Sequence, residues 1–173
     1  MIQPIKIGIV GLGRVGWGMH CEELASRQDK FQIVAACDTI AERRENMVIR
    51  YRCRTYAHIL DLIADPDVEL VDIATRSCDH YKHASMALAA GKDVFLEKPM
   101  CVSFKEAQKL RQAAEHSPGG RLFIRHNRRF DPDITHVMNS MLGELWVESC
   151  AIWEVEQLDA NAKTSVAMNL QIH

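Results

Sequence analysis

The stretch that decides the fold is Gly8–His20, GIVGLGRVGWGMH. An apolar run, Ile5 to Val10, leads into it, and a helical pattern starting near residue 14 leads out. Between them Gly11, Gly13 and Gly16 stand at G-x-G-x-x-G spacing, with Arg14 and Val15 between the second and third glycines. The spacing alone carries little weight; the strand before it and the helix after it make it informative. Each glycine has a separate physical task. Gly11 permits a tight turn, Gly13 lets the backbone approach a pyrophosphate, and Gly16 lets the helix lie close to the strand. The helix start then offers free N–H groups and a partial positive charge to phosphate oxygens. Two other readings of the loop are a plain tight turn and a Rossmann-like domain for a different adenosine ligand.

Working outward, a dinucleotide site needs an acid at the end of the second strand. Asp38 stands there, 27 positions after Gly11 and somewhat beyond the usual spacing of about 20. A carboxylate at that point accepts both ribose hydroxyls and repels a 2′-phosphate, which favours NAD. Arg43 and Arg44 follow closely and keep NADP open.

The same alternation of short apolar runs and helical patterns continues to about residue 125. Strands are predicted at 5–10, 32–37, 69–74, 93–97 and 121–125, with a weaker one at 54–56. Helices are predicted near 14–26, 40–50, 58–64, 80–90 and 103–115. This order implies right-handed βαβ crossovers and an α/β fold with a doubly wound parallel sheet. Asp65-Pro66-Asp67 and Gly91 read as helix stops, and Ser103 with Glu106 as a capping box.

In such a sheet, ligands bind beyond the carboxyl ends of the strands. Two polar loops fall there: TRSCDH, Thr75 to His80, and EKP, Glu97 to Pro99. Both point to the nicotinamide half of a dinucleotide site. Lys98 is the candidate catalytic residue, able to donate a hydrogen bond to a substrate hydroxyl or carbonyl, or to move a proton. Adjacent strand residues face opposite ways, so Glu97 and Lys98 need not meet. His80 reads as a residue that caps or holds its loop. His80 and His83 are three apart without a visible third ligand, so no metal site is expected.

Composition narrows the classes of function. A chain of 173 residues, 47% hydrophobic, can bury one full core and begin a second. With 21 basic and 23 acidic residues, it has no overall field for nucleic acid or an anionic membrane. No apolar run is long enough to span a bilayer and the N-terminus lacks a signal-peptide layout, so a cytoplasmic protein is expected. The six cysteines are spread singly and read as buried reduced thiols.

GIVGLGRVG with Asp38, then DPDVELVDIATRSCDHYKHASMALAAGKDVFLEKPM, then NRRFDPD, resembles the Gfo/Idh/MocA oxidoreductase family from about residue 5 to 150. The resemblance implies an N-terminal Rossmann domain binding NAD or NADP and a C-terminal domain with an open mixed sheet. It also implies hydride transfer at a hydroxyl-bearing carbon of a sugar, cyclitol or related small molecule. On it, Thr75, His80, Glu97, Lys98 and Arg129 join the three glycines, Arg14, Val15 and Asp38 as expected cofactor-site residues. The remaining catalytic pair of the family is an aspartate and a histidine four apart in the second domain. No D-x-x-x-H follows residue 131.

The expected domains are therefore 1–125, a cofactor domain, and 126–173, the start of an incomplete α+β second domain with a helix near 133–142 and a strand near 144–155. That strand would have an exposed apolar edge, which predicts self-association. Two functions remain from the sequence: a dehydrogenase in truncated form, turning over slowly or not at all, and a dinucleotide-binding module without catalysis.

Overall fold

A computed structural model describes residues 3–126 and 131–132. The chain divides into two units, Met1–His126 and Asn127–His173. The helix near 133–142, the strand near 144–155, Arg129 and Cys150 lie outside the described residues.

Six strands form one parallel sheet: β1 (Ile5–Val10), β2 (Phe31–Cys37), β3 (Arg54–Tyr56), β4 (Leu70–Ile73), β5 (Asp93–Glu97) and β6 (Leu122–Arg125). Their order is β3-β2-β1-β4-β5-β6. β1 pairs with β2 on one side and β4 on the other, Val10 opposite Cys37 and Ile73. The chain winds outward in both directions from that point, so the crossover helices part there and leave a crevice above the carboxyl ends.

The helical layer begins with a π turn, Gly16–His20, continued by α1 (Cys21–Ala25). α2 (Ala41–Tyr51), α3 (Ile59–Ala64), α4 (Ser77–Ala89) and α5 (Phe104–Glu115) follow. Period-2 alternation sends Val71, Ile73, Val94 and Leu96 into one cluster with Leu62 of α3, Leu88 of α4 and Leu110 of α5, all nearly inaccessible. Ser103 Oγ accepts from the Glu106 N–H at 3.3 Å, as the capping box requires. The Glu106 carboxylate reaches back to the Val102 N–H, one residue further out than the reciprocal bond of that motif.

α4 starts at Ser77, three residues ahead of the expected 80. The polar run Ser77–His80 therefore forms its first turn instead of a loop, because Arg76 holds the extended backbone before it. The cysteine expectation needs a similar correction. Cys21, Cys37 and Cys53 are buried, and burial pushes their thiols up to about 12, 11 and 11 respectively. Cys78, in the first turn of α4, is exposed and Cys101 is half-buried, so these two do not fill the core.

Candidate functional site

The glycine loop joins β1 to the π turn above the sheet's crevice. Gly11 has φ +93°, in the left-handed region, and a Cβ there would stand 2.8 Å from the Ala74 carbonyl oxygen. A Cβ at Gly16 would stand 1.9 Å from the Gly11 carbonyl oxygen, so helix and loop meet with no room for a side chain. Gly13 is the opposite case: nothing lies within 4 Å of its Cβ position. That open backbone fits a pyrophosphate approaching the loop. Arg14 is exposed and Val15 half-buried at the helix start.

Asp38 lies just past β2 and is largely buried. Oδ2 accepts from the Leu12 N–H at 2.8 Å and from Arg43 at 3.2 Å, and Oδ1 from the Ile40 N–H at 2.9 Å. Burial alone would raise its pKa, but the Ile40 and Leu12 N–H groups and the Arg43 guanidinium outweigh that and hold it below the ordinary carboxylate value. The carboxylate is ionised at neutral pH and tied to the glycine loop through Leu12. Arg44 donates to the Asp38 and Thr39 carbonyls instead, at 2.8 and 3.1 Å. Of the two arginines weighed in the sequence, Arg43 alone contacts the carboxylate. Its side chain, 43% exposed, can turn toward a 2′-substituent.

The β4 and β5 loops meet through His80. Its ring is buried, with Nδ1 2.7 Å from the Pro99 carbonyl oxygen and Nε2 3.0 Å from that of Thr75. Both neighbours are acceptors, so a neutral ring donates to one of them and a protonated ring to both. His80 thus joins the two loops and has no ring nitrogen free for a ligand. Thr75 is half-buried, and its hydroxyl lies 3.1 Å from His83 Nδ1. Burial lowers the pKa of His83, which stays neutral at physiological pH. The Lys98–Pro99 peptide bond is cis, and Lys98 is exposed.

Glu97 turns the other way, into the protein. Oε2 accepts from the Lys98 N–H at 2.8 Å, and Oε1 accepts from Arg125 at 3.0 Å and lies 3.4 Å from His20 Nε2. His20 Nδ1 bonds Asp72 at 2.8 Å, and Arg125 continues to Glu23 at 2.6 Å. Glu97, expected at the cofactor, is thus held in a buried network and reaches the site through the Lys98 peptide. His20, Asp72 and Arg125 lie outside the motifs that mark the site in the sequence, G-x-G-x-x-G, TRSCDH and EKP. A readable signal existed: Asp72 interrupts the apolar run of β4, and a carboxylate in a parallel strand covered on both faces needs a partner.

Among the described residues, no three His, Cys, Asp or Glu side chains are arranged to hold a metal ion, and no helix is long and apolar enough to cross a membrane.

Residues 5–125 match the oxidoreductase family with an NAD-binding Rossmann fold, Gfo/Idh/MocA. The chain belongs to this family. Among its relatives, an inositol 2-dehydrogenase of Salmonella typhimurium is 34% identical over 139 residues, 79% of this chain and 41% of that protein. The scyllo-inositol 2-dehydrogenase (NADP(+)) IolW of Bacillus subtilis is 35% identical over 133 residues, 76% of this chain and 36% of that one. Of solved structures, apo scyllo-inositol dehydrogenase from Lactobacillus casei superposes with a TM-score of 0.73 at 27% identity, covering 80% of this chain and 41% of that one. The chain thus spans about two fifths of the length of the family members it matches.

Proposed function

We propose that this chain is the cofactor-binding part of an NAD(P)-dependent dehydrogenase that oxidises a hydroxyl-bearing carbon of a cyclitol, sugar or related polyol. The observation that carries the proposal is the place of Lys98. It is exposed at the carboxyl end of β5, in a loop that His80 ties to Thr75 beside the switch point where the glycine loop lies. Residues 1–125 are the cofactor domain in this reading, and 126–173 open the substrate domain.

In this arrangement the open backbone at Gly13 and the helix start at Arg14 and Val15 hold the pyrophosphate. Asp38 accepts the adenosine ribose hydroxyls, with NAD preferred and NADP admitted by Arg43. A bound nicotinamide supplies the hydride acceptor. Lys98 holds the substrate hydroxyl by a hydrogen bond and orients its carbon for transfer. The inositol dehydrogenases among the relatives support a cyclitol or sugar as the substrate class.

The test combines the protein, NAD and a panel of cyclitols and sugars, read by the absorbance of reduced nicotinamide. Turnover with at least one of them, lost in Lys98→Met while NADH affinity stays within about twofold, supports the proposal. Turnover at the parent level in Lys98→Met would remove Lys98 from its role. Saturable NADH binding without turnover on any compound would leave a dinucleotide-binding module.

A further inference from the structure

The glycine loop, Asp38 and the Lys98 loop account for one edge of the sheet, but not for the charged cluster beneath it. Three carboxylates, Asp72, Glu97 and Glu23, share one guanidinium, Arg125, and one imidazole, His20. Four of these side chains are at least nine-tenths buried. Desolvating such groups costs several kcal/mol each, and buried ion pairs often stabilise no better than apolar side chains of the same volume. The cluster does, however, fix positions. It spans α1, β4, β5 and β6, and its end nearest the site is the bond from the Lys98 N–H to Glu97.

We infer that His20 is a positioning residue for Lys98: held by Asp72, it bridges to Glu97 and fixes the carboxylate that anchors the Lys98 peptide. The inference rests on the dehydrogenase reading of Lys98. His20 sits four residues after Gly16, at the end of the π turn, so the helix that opens at the phosphate loop also carries the group that steadies the second loop. The wide turn is closed by the Cys21 N–H donating to the Gly16 carbonyl and directs His20 toward the sheet, where it is 2% exposed.

The groups around His20 are Asp72 of β4, Glu97 and the Phe95 ring of β5, and Arg125 of β6, with Glu23 of α1 beyond Arg125. With His20 neutral, three carboxylates face one guanidinium and Nδ1–H serves Asp72 alone. With His20 protonated, both ring nitrogens donate, one to each carboxylate, and Glu97 is held from two sides. Burial lowers the His20 pKa, but the charge and hydrogen bond of Asp72, with the Glu97 bond, outweigh burial and the Arg125 charge and raise it. The protonated bridge is therefore favoured on the neutral side of the ordinary histidine value.

The experiment follows the Lys98 backbone amide and the His20 ring by NMR across a pH titration of the full chain. The Lys98 amide is expected to shift with the same midpoint as the His20 ring. In His20→Gln that inflection disappears, because a Gln amide can hydrogen-bond in place of the ring but does not titrate. Should His20→Gln fold poorly, Asp72→Asn keeps the ring and removes the charge that favours its proton; the ring and Lys98 midpoints should then move down together. A Lys98 amide blind to the ring in the parent, or unmoved in Asp72→Asn, overturns the inference. An NADH titration of the same samples separates the two readings. Coupled midpoints without NADH binding would sink the dehydrogenase reading and leave the coupling intact, whereas NADH binding with uncoupled midpoints would sink the positioning role alone.

Discussion

Gly13 and Gly16 differ by three positions in one motif, yet the structure assigns them opposite sensitivities. At Gly16 a Cβ would stand 1.9 Å from the Gly11 carbonyl oxygen, where ordinary contact begins near 3.4 Å. Gly16→Ala therefore forces loop and helix apart by about 1.5 Å, both being backbone with no rotamer to relieve the clash. Overpacking of this kind costs about 1–3 kcal/mol, and the gain of about 0.5–1 kcal/mol from replacing a helical glycine offsets part of it. A net loss of about 1 kcal/mol corresponds to a melting midpoint lower by about 2–4 °C for a chain of this size. At Gly13 nothing lies within 4 Å and φ is outside the left-handed region, so Gly13→Ala should leave stability within about 1 kcal/mol of the parent. Its methyl would instead hold a pyrophosphate off the backbone, weakening NADH at least about tenfold, or 1.4 kcal/mol. Thermal melts and NADH calorimetry on the two variants check both halves. Gly13→Ala binding NADH like the parent, or Gly16→Ala melting like the parent, would refute the reasoning.

Asp38→Asn keeps an oxygen for the Leu12 N–H but removes the charge. The NADPH-to-NADH affinity ratio should rise by roughly tenfold by calorimetry, and an unchanged ratio would remove Asp38 from discrimination. Asp65 accepts from Arg54 at 2.8 and 3.0 Å, the Tyr56 hydroxyl at 2.9 Å and the Asp67 N–H at 3.0 Å, pinning the edge strand β3. Asp65→Ala removes the partner of the half-buried Tyr56 hydroxyl and of Arg54, and should cost about 1 kcal/mol in urea unfolding, because both groups left behind can reach water. Because the His20 pKa is raised on folding, its stabilisation is complete below pH about 6.5 and is lost as pH rises through the folded value, at about 1.36 kcal/mol per unit of difference. Asp38 acts with the opposite sign: its pKa is lowered, so its contribution is present above pH about 3.9 and lost as pH falls through the folded value. Urea unfolding at a series of pH values should show a shallower alkaline slope in His20→Gln, and parallel slopes would contradict the assignment.

The sheet was legible because burial imposes its pattern on the sequence. β1, β3 and β5 have the expected bounds, β2 and β6 differ by one residue at the start, and β4 is one residue shorter at each end. Gly11 and Gly16 could be read because a tight turn and a close helix each demand glycine at a set distance, and Asp38 stands just past β2, where the spacing put an acid. The β4 loop was harder: Ser77–His80 joins α4, whose N-cap is Arg76, a residue type that gives no cap signal, and no side chain caps that helix. Glu97 is expected at the cofactor from its position in EKP and from the family resemblance, while its side chain faces Arg125 and His20. Those partners are 28 and 77 positions away, a separation that neither periodicity nor motif spacing registers.

The central claim is that a dinucleotide lies along the carboxyl edge of the sheet, with its reactive end between the β4 and β5 loops beside Lys98. Backbone amide NMR of the full chain during an NADH titration tests this most directly. Saturable shifts are expected at Gly11 to Gly16, at Ile40 beside Asp38, at Thr75 to His80 and at Lys98, with Arg54 and Asp67 at the opposite corner unmoved. Shifts confined to the Arg54–Asp67 corner, or a Lys98 amide that does not respond at saturation, would contradict it.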